Sequence, residues 1–163
     1  MYREILTKAI IAKGQRKIKE KREVNINKQI SKILGCWIIN HKSKTNVIKQ
    51  NIIIEGTYDA YFWYGYEFDS KCDLHYEQFS YSYEIPYTFT QDSVLLDEKM
   101  EIKEYVSKVP TCVSMEFNDD KISIDVDFQF DIDIIGETKL KIKVDDIVID
   151  QMIDTNYVKE KKE

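Results

Sequence analysis

The clearest pattern in the chain is a strict alternation of apolar and polar residues between positions 121 and 134. Successive side chains of a β-strand point to opposite faces, so this pattern predicts a half-buried antiparallel strand with an acidic solvent face. The predicted inner row is Ile122, Ile124, Val126, Phe128, Phe130, Ile132 and Ile134, and the predicted outer row contains Asp125, Asp127, Asp131 and Asp133.

A second long alternation, "NIIIEGTYDAYFWYGYEF" at 51–68, predicts a strand with Tyr61 and Trp63 on the face opposite its apolar row. Residues 69–73 predict a turn, and 74–87 predict a returning strand with Phe79, Tyr81, Tyr83 and Ile85 on one face. Together they indicate a long hairpin.

The remaining segments predict shorter elements. Residues 15–26 suit a charged edge strand, whereas residues 2–12 fit a short helix or a strand equally well. A polar connection over 90–100 precedes strands at 101–109 and 111–117, a turn at 118–121 follows them, and "IGET" at 135–138 predicts a turn before a last strand at 139–144.

These elements predict an all-β fold: a single-domain antiparallel β-sandwich or flattened barrel of about seven to eight strands, with the short N-terminal helix as an open alternative. The length of 163 residues suits one domain. We expect the sandwich to occupy residues 1–144 and a short acidic or mixed-charge tail to occupy residues 145–163.

Charge is distributed unevenly. Residues 1–28 contain nine Lys or Arg against three Glu, although the whole chain carries a net charge of −5. A basic arm on an acidic body argues against a general nucleic-acid binder and suits an arm that meets the body of another subunit. Lys17, Lys19 and Lys21 are the candidate contacts, and a solvated Lys-rich strand is the alternative.

The sequence shows no secretory signal and no apolar run of the ~20 residues that span a bilayer. We therefore expect a cytoplasmic protein without membrane insertion. Its three cysteines, Cys36, Cys72 and Cys112, are expected to be reduced, buried thiols.

Candidate chemistry is sparse. Cys72 and His75, three residues apart, are the one pair that suggests zinc, but the expected interpretation is unrelated thiols and surface imidazoles. The aspartate row favours solvation over acid–base work, and phosphate-loop, nucleophile-elbow and HExxH motifs are absent from the sequence. We expect no catalytic residue, no metal and no cofactor.

Aromatic residues are the stronger indication of function. Tyr61 and Trp63, with the region of Tyr76, Tyr81 and Tyr83, favour an exposed protein contact, because Tyr and Trp commonly anchor interfaces. Burial of both faces within a sandwich and a lectin-like sugar platform are the alternatives.

Five motifs in order, "YREILTKAIIAKG", "SKILGCWIINHK", "IEGTYDAYFWYGY", "VPTCVSMEF" and "IIGETKLKIKV", make the chain resemble the spore coat morphogenetic family CotE from Tyr2 to about Val144. The resemblance implies a non-enzymatic scaffold that forms in the mother-cell cytoplasm during sporulation and then joins the spore coat. Its implied partners are itself and other coat proteins of the basement and outer layers.

The same resemblance interprets Cys36, Trp37, Ile38 and Ile39 as core or subunit contact, which makes Trp37 a further candidate interaction residue. Well-known members end in a long acidic tail, whereas this sequence ends in "KVDDIVIDQMIDTNYVKEKKE", so a recruitment role that depends on such a tail is in doubt. The competing hypothesis is a small-ligand or glycan-binding β-sandwich module, and a metal-dependent hydrolase is the third.

Overall fold

Seven antiparallel strands make up the computed structural model, which describes residues 2–90 and 100–143. Those ranges contain no helix, and so none that could cross a membrane. The strands are β1 (Tyr2–Asn25), β2 (Ile30–Ile48), β3 (Asn51–Tyr66), β4 (Lys71–Ile85), β5 (Tyr87–Phe89), β6 (Glu101–Asn118) and β7 (Lys121–Lys143).

The strands form two sheets that face one another. Sheet A has the order β5-β1-β7-β6, and sheet B has the order β2-β3-β4. Strand β2 lies against β6, and β1 lies near β4. β3 is the central strand of sheet B, and β1 and β7 are the inner strands of sheet A. The predicted β-sandwich is confirmed.

The core lies between the sheets and follows the alternation of the sequence. All seven apolar residues of the predicted inner row of β7 are buried, as are Ile52, Ile54, Tyr58 and Phe62 of β3. Phe128 is the centre of an aromatic cluster, with its ring centroid 4.9 Å from Tyr81 and 6.2 Å from Tyr58. Gly56 permits this packing, because a side chain there would collide with the Tyr81 hydroxyl and the Lys42 carbonyl.

Polar side chains also enter the space between the sheets, and each is bonded there. Glu20 of β1 accepts hydrogen bonds from the hydroxyls of Tyr58 (2.5 Å) and Tyr83 and pairs with Arg22 at 3.0 Å. His41 of β2 lies 2.5 Å from the Tyr81 hydroxyl, and burial lowers the pKa of its imidazole. These bonds offset the cost of taking polar groups out of water.

Two sequence predictions for the strands are wrong, and one open alternative is decided. Residues 2–12, which fitted a helix or a strand, form the start of β1, where they pair with the end of β7. "IGET" does not turn, because Ile135 and Gly136 lie opposite Ile10 and Ala9 within β7. The segments at 101–109 and 111–117 are one strand, β6, interrupted by irregularities in its pairing with β7. Residues 91–99 of the predicted connection at 90–100, and the predicted tail, lie outside the described residues.

The hairpin predictions are confirmed. β3 and β4 pair from Ile52 with Ile85 to Tyr66 with Lys71, and β6 and β7 pair across the predicted turn.

The turn between β2 and β3 consists of Lys49 and Gln50, both with positive φ, as two-residue hairpin turns of type I′ require.

Candidate interaction surface

The outer face of sheet B, which points away from the core, carries a cluster of apolar side chains, five exposed and one half-buried, that spans all three strands. We call it the aromatic patch, and its members are Trp37 and Ile39 of β2, Tyr61 and Trp63 of β3, and Leu74 and Tyr76 of β4. Trp37, Tyr76 and Leu74 are 49%, 49% and 52% exposed. Exposed apolar clusters on a soluble protein mark contact surfaces more often than single exposed residues do.

Strand register brings the rings of the patch together. Tyr61 lies opposite Trp37 on one side and opposite Tyr76 on the other, while Trp63 lies opposite Leu74. The rings of Trp37 and Trp63 stack with centroids 6.1 Å apart, and those of Tyr61 and Tyr76 are 5.1 Å apart. Such ring pairs lie in the range of favourable aromatic contacts, so the patch is ordered before any partner arrives.

Irregularities in β2 explain how its side chains reach this face. Pairing with β3 shifts register between Ile33 and Gly35 and again between Ile39 and Lys42. Each extra residue changes which positions point inward, as β-bulges do. Asn40, in the second irregularity, has a φ of 55°, a left-handed conformation that asparagine tolerates better than most residues. As a result Cys36 and Ile38 face the core, and Trp37 and Ile39 face outward.

A single carboxylate ties the three strands together at the border of the patch. Asp59 of β3 accepts hydrogen bonds from Asn40 of β2 (2.9 Å) and from Tyr76 and Gln78 of β4 (2.9 and 3.2 Å). Donation by Asn40, and then by Tyr76, holds the pKa of the Asp59 carboxyl below its usual range. The polar groups here bond to one another, so the patch offers a partner mainly apolar surface.

The predicted aromatic candidates divide into two groups. Trp37, Tyr61 and Trp63 meet on the patch, whereas the exposure expected of Tyr81 and Tyr83 is wrong. Tyr81 is 6% exposed and belongs to the core cluster, and Tyr83 donates its hydroxyl to Glu20 between the sheets. Both lie on the inner face because β4 pairs them with Gly56 and Ile54.

Leu74 is a patch member that the sequence interpretation missed. Leu74 shares its parity with Tyr76 along β4, so the alternation contained the necessary signal. The sequence interpretation names Ile39 only as core or subunit contact, and the alternation of β2 places it on the outer face, opposite Asp59.

The candidate lysines do not form a free arm. Lys17, Lys19 and Lys21 are exposed on the outer face of β1, within sheet A. Lys19 lies opposite Asp127 and Lys21 opposite Asp125, while Lys17 lies opposite Gln129. The acidic row of β7 is therefore flanked by lysines of its own chain. We call this surface the charge ladder.

Strand β6 continues the charge ladder on the other side of β7. Lys103 lies opposite Asp133, and the Lys108 ammonium is 3.9 Å from an Asp127 carboxylate oxygen. The Ser114 hydroxyl donates to Asp125 at 2.5 Å. The predicted outer acidic face is present, but neighbouring strands supply most of its partners.

The possible zinc ligands are separated. Cys72 and His75 lie on opposite faces of β4, because Cys72 pairs with Gly65 and His75 with the buried Phe62. Cys72 is exposed, so its expected burial is wrong, and His75 is half-buried 3.1 Å from Glu77. Over residues 2–90 and 100–143, no three His, Cys, Asp or Glu side chains come together as a metal site.

Comparison with known proteins gives one match. The profile of the family described as outer spore coat protein E (CotE) matches residues 1–163. Comparisons with curated proteins and with solved structures give no significant match.

Proposed function

Because the chain belongs to the outer spore coat protein E (CotE) family, we propose that it is a non-enzymatic scaffold that self-associates and binds other coat proteins. Family membership makes it a protein of the spore coat. The proposal adds assembly in the mother-cell cytoplasm during sporulation and two kinds of partner: a second copy of the chain, and the proteins of the basement and outer coat layers.

The observation that carries the proposal is the aromatic patch. It combines two tryptophans and two tyrosines in contact on one sheet face, and these are residue types that dominate interface energetics. Since the rings are already in contact, binding costs little side-chain entropy. An open sheet face suits another protein surface better than a small molecule, which binds preferentially in concave sites.

Strand edges support assembly less strongly than the patch. Two backbone carbonyls of the edge strand β4, those of Ser80 and Glu84, already accept hydrogen bonds from Arg22 and Arg16 at 2.6 Å. On the other side of the molecule, β6 contains Pro110 and three register shifts. Prolines, β-bulges and charged side chains along an edge strand discourage edge-to-edge pairing.

A glycan-binding module is the second candidate, favoured by the outward-facing rings of Tyr61 and Trp63. Sugar recognition also needs free polar groups that fix the hydroxyls. At the patch, Asp59 is already bonded to Asn40, Tyr76 and Gln78, so this group is engaged within the chain. The apolar contact of a coat scaffold explains the patch better.

Light scattering after size-exclusion chromatography tests the proposal. The molar mass should rise with protein concentration, and oligomers that have formed should persist in 1 M salt, where the Debye length is about 3 Å and apolar contacts remain. A protein that stays monomeric at high micromolar concentration, or whose oligomers dissolve in high salt, contradicts an apolar scaffold contact.

A further inference from the structure

Two of the three cysteines face one another across the sandwich. Cys36 lies on the inner side of β2, opposite the buried Phe62, and Cys112 lies on the inner side of β6, opposite the buried Val126. Their strands belong to different sheets, and both side chains pack against the common core. The two thiols are therefore brought together by the fold, although 76 positions separate them in the sequence.

The sandwich is narrow at this side. Strands β2 and β6 lie against one another here, whereas β1 and β4 approach less closely on the opposite side. Backbones that approach this closely can bring a cysteine pair into the range that a disulfide needs. The two thiols also share a hydrogen bond, while Cys112 donates to the Ser114 carbonyl at 3.4 Å.

We propose that Cys36 and Cys112 form an intramolecular disulfide that joins sheet A to sheet B when the protein meets an oxidising low-molecular-weight disulfide. The Cys112 thiolate attacks one sulfur of that reagent, and a mixed disulfide forms as one thiolate leaves. The Cys36 sulfur, after losing its proton, then attacks the Cys112 sulfur and expels the second small thiolate. In total the protein loses two hydrogen atoms, and the reagent is reduced to two small thiols.

The environment of the pair indicates the order of attack. The hydrogen bond from Cys36 lowers the pKa of the Cys112 thiol, whereas the same bond and burial raise the pKa of Cys36. Thiolates are the attacking species in disulfide exchange, so Cys112 reacts first and Cys36 resolves the mixed disulfide. Cys72 is exposed on the outer face of β4 and takes no part.

The disulfide would link β2 to β6, the edge strands of the two sheets that lie against one another. Because it closes a long loop of chain, it restricts the unfolded state and stabilises the fold. We expect the midpoint of thermal unfolding to rise by roughly 5–15 °C on oxidation, as a disulfide across a long loop does in a domain of this size. This inference does not depend on the proposed scaffold role.

The test uses the full chain with Cys72→Ser, which removes the exposed thiol. After incubation with oxidised glutathione, the intact mass should fall by two hydrogen atoms, both thiols should resist alkylation, and peptide mapping without reduction should find Cys36 linked to Cys112. Matched controls are Cys36→Ser/Cys72→Ser and Cys112→Ser/Cys72→Ser, which should keep a glutathione adduct or a free thiol and show no such rise in the unfolding midpoint. Thiols that stay alkylatable, stable adducts on both sulfurs, or only intermolecular disulfides would overturn the proposal.

Discussion

The two outer faces of the sandwich arise from the same alternation of inward and outward residues, but one is charged and the other is apolar. On sheet A, the outward residues of β1, β7 and β6 form the charge ladder, in which Lys19 lies opposite Asp127 and Lys103 opposite Asp133. On sheet B, the outward residues of three strands form the aromatic patch, where Trp37 and Trp63 stack on each other in solvent. One face pairs its charges within the chain, and the other leaves apolar surface uncovered.

We expect the two faces to differ in their capacity to bind a partner. Exposed charge pairs contribute little to stability. Apolar surface gains roughly 25 cal/mol for each Å² removed from water, so an exposed aromatic face favours burial against a partner. We therefore expect the patch to hold assemblies together and the ladder to influence solubility and the rate of encounter.

Both faces depend on one core, and the largest expected effect comes from damaging it. Phe128 lies on the inner side of the strand that carries the acidic row, and it is 1% exposed. Phe128→Ala should lower the free energy of unfolding by about 3–5 kcal/mol, because it leaves a cavity in a packed core. Urea unfolding measures this loss. A change below about 1 kcal/mol would mean that the sheets do not pack through this ring.

A smaller effect on stability should show whether the charge ladder makes its contacts within one chain or with another copy. Lys19→Glu places a carboxylate opposite Asp127 and should cost about 0.2–1 kcal/mol of stability, since like charges directly opposite in a sheet repel. Adding Asp127→Lys should restore the loss.

Lys17→Glu is the matched control for this comparison, because Lys17 lies opposite the neutral Gln129 and should cost less. Unfolding by denaturant measures stability for all four proteins, and light scattering follows their assembly rate. If Lys19→Glu slows assembly without any loss of stability, these lysines contact another subunit instead of their own strand partner.

The smallest expected effect is a pH dependence at the border of the patch. The pKa of Asp59 is lowered in the folded state, so its stabilisation is complete above the unfolded pKa of about 4 and is lost as pH falls through the folded value. The stability difference between the wild-type protein and Asp59→Asn should therefore shrink on acidification below about pH 4. A difference that is constant from neutral to acidic pH would mean that Asp59 does not hold the three strands as a carboxylate.

The sequence predicted the regular part of the fold well. β7 and the hairpin of β3 and β4 alternate without interruption. The pattern therefore placed Phe128 on the core face of its strand and Trp63 on the outer face of its strand. Family membership, expected from five motifs, is confirmed over the whole chain. Regular alternation works here because each strand has one buried face and one open face.

Sequence prediction failed where a strand departs from two-residue alternation, and where the surroundings of a residue depend on a strand that is distant in the sequence. The first bulge of β2 exchanges its inner and outer positions, so Ile33 and Cys36, an odd number of residues apart, both face the core, which simple alternation does not describe. For Lys17, Lys19 and Lys21 the sequence leaves a basic arm and a solvated strand open, because their strand partners, Asp125 and Asp127 among them, are about a hundred residues away. Tyr81 and Tyr83 were grouped with exposed rings although their own parity placed them inside.

Sedimentation velocity of patch variants tests the central claim most directly. Trp37→Ser/Trp63→Ser should remain folded, since both rings are outside the core, and should shift the distribution from oligomer towards monomer. Phe68→Ser is the matched control, because Phe68 is 99% exposed on the β3–β4 turn and outside the patch, so it should assemble like the wild-type protein. A double variant that is folded and assembles as fully as the control would contradict the account.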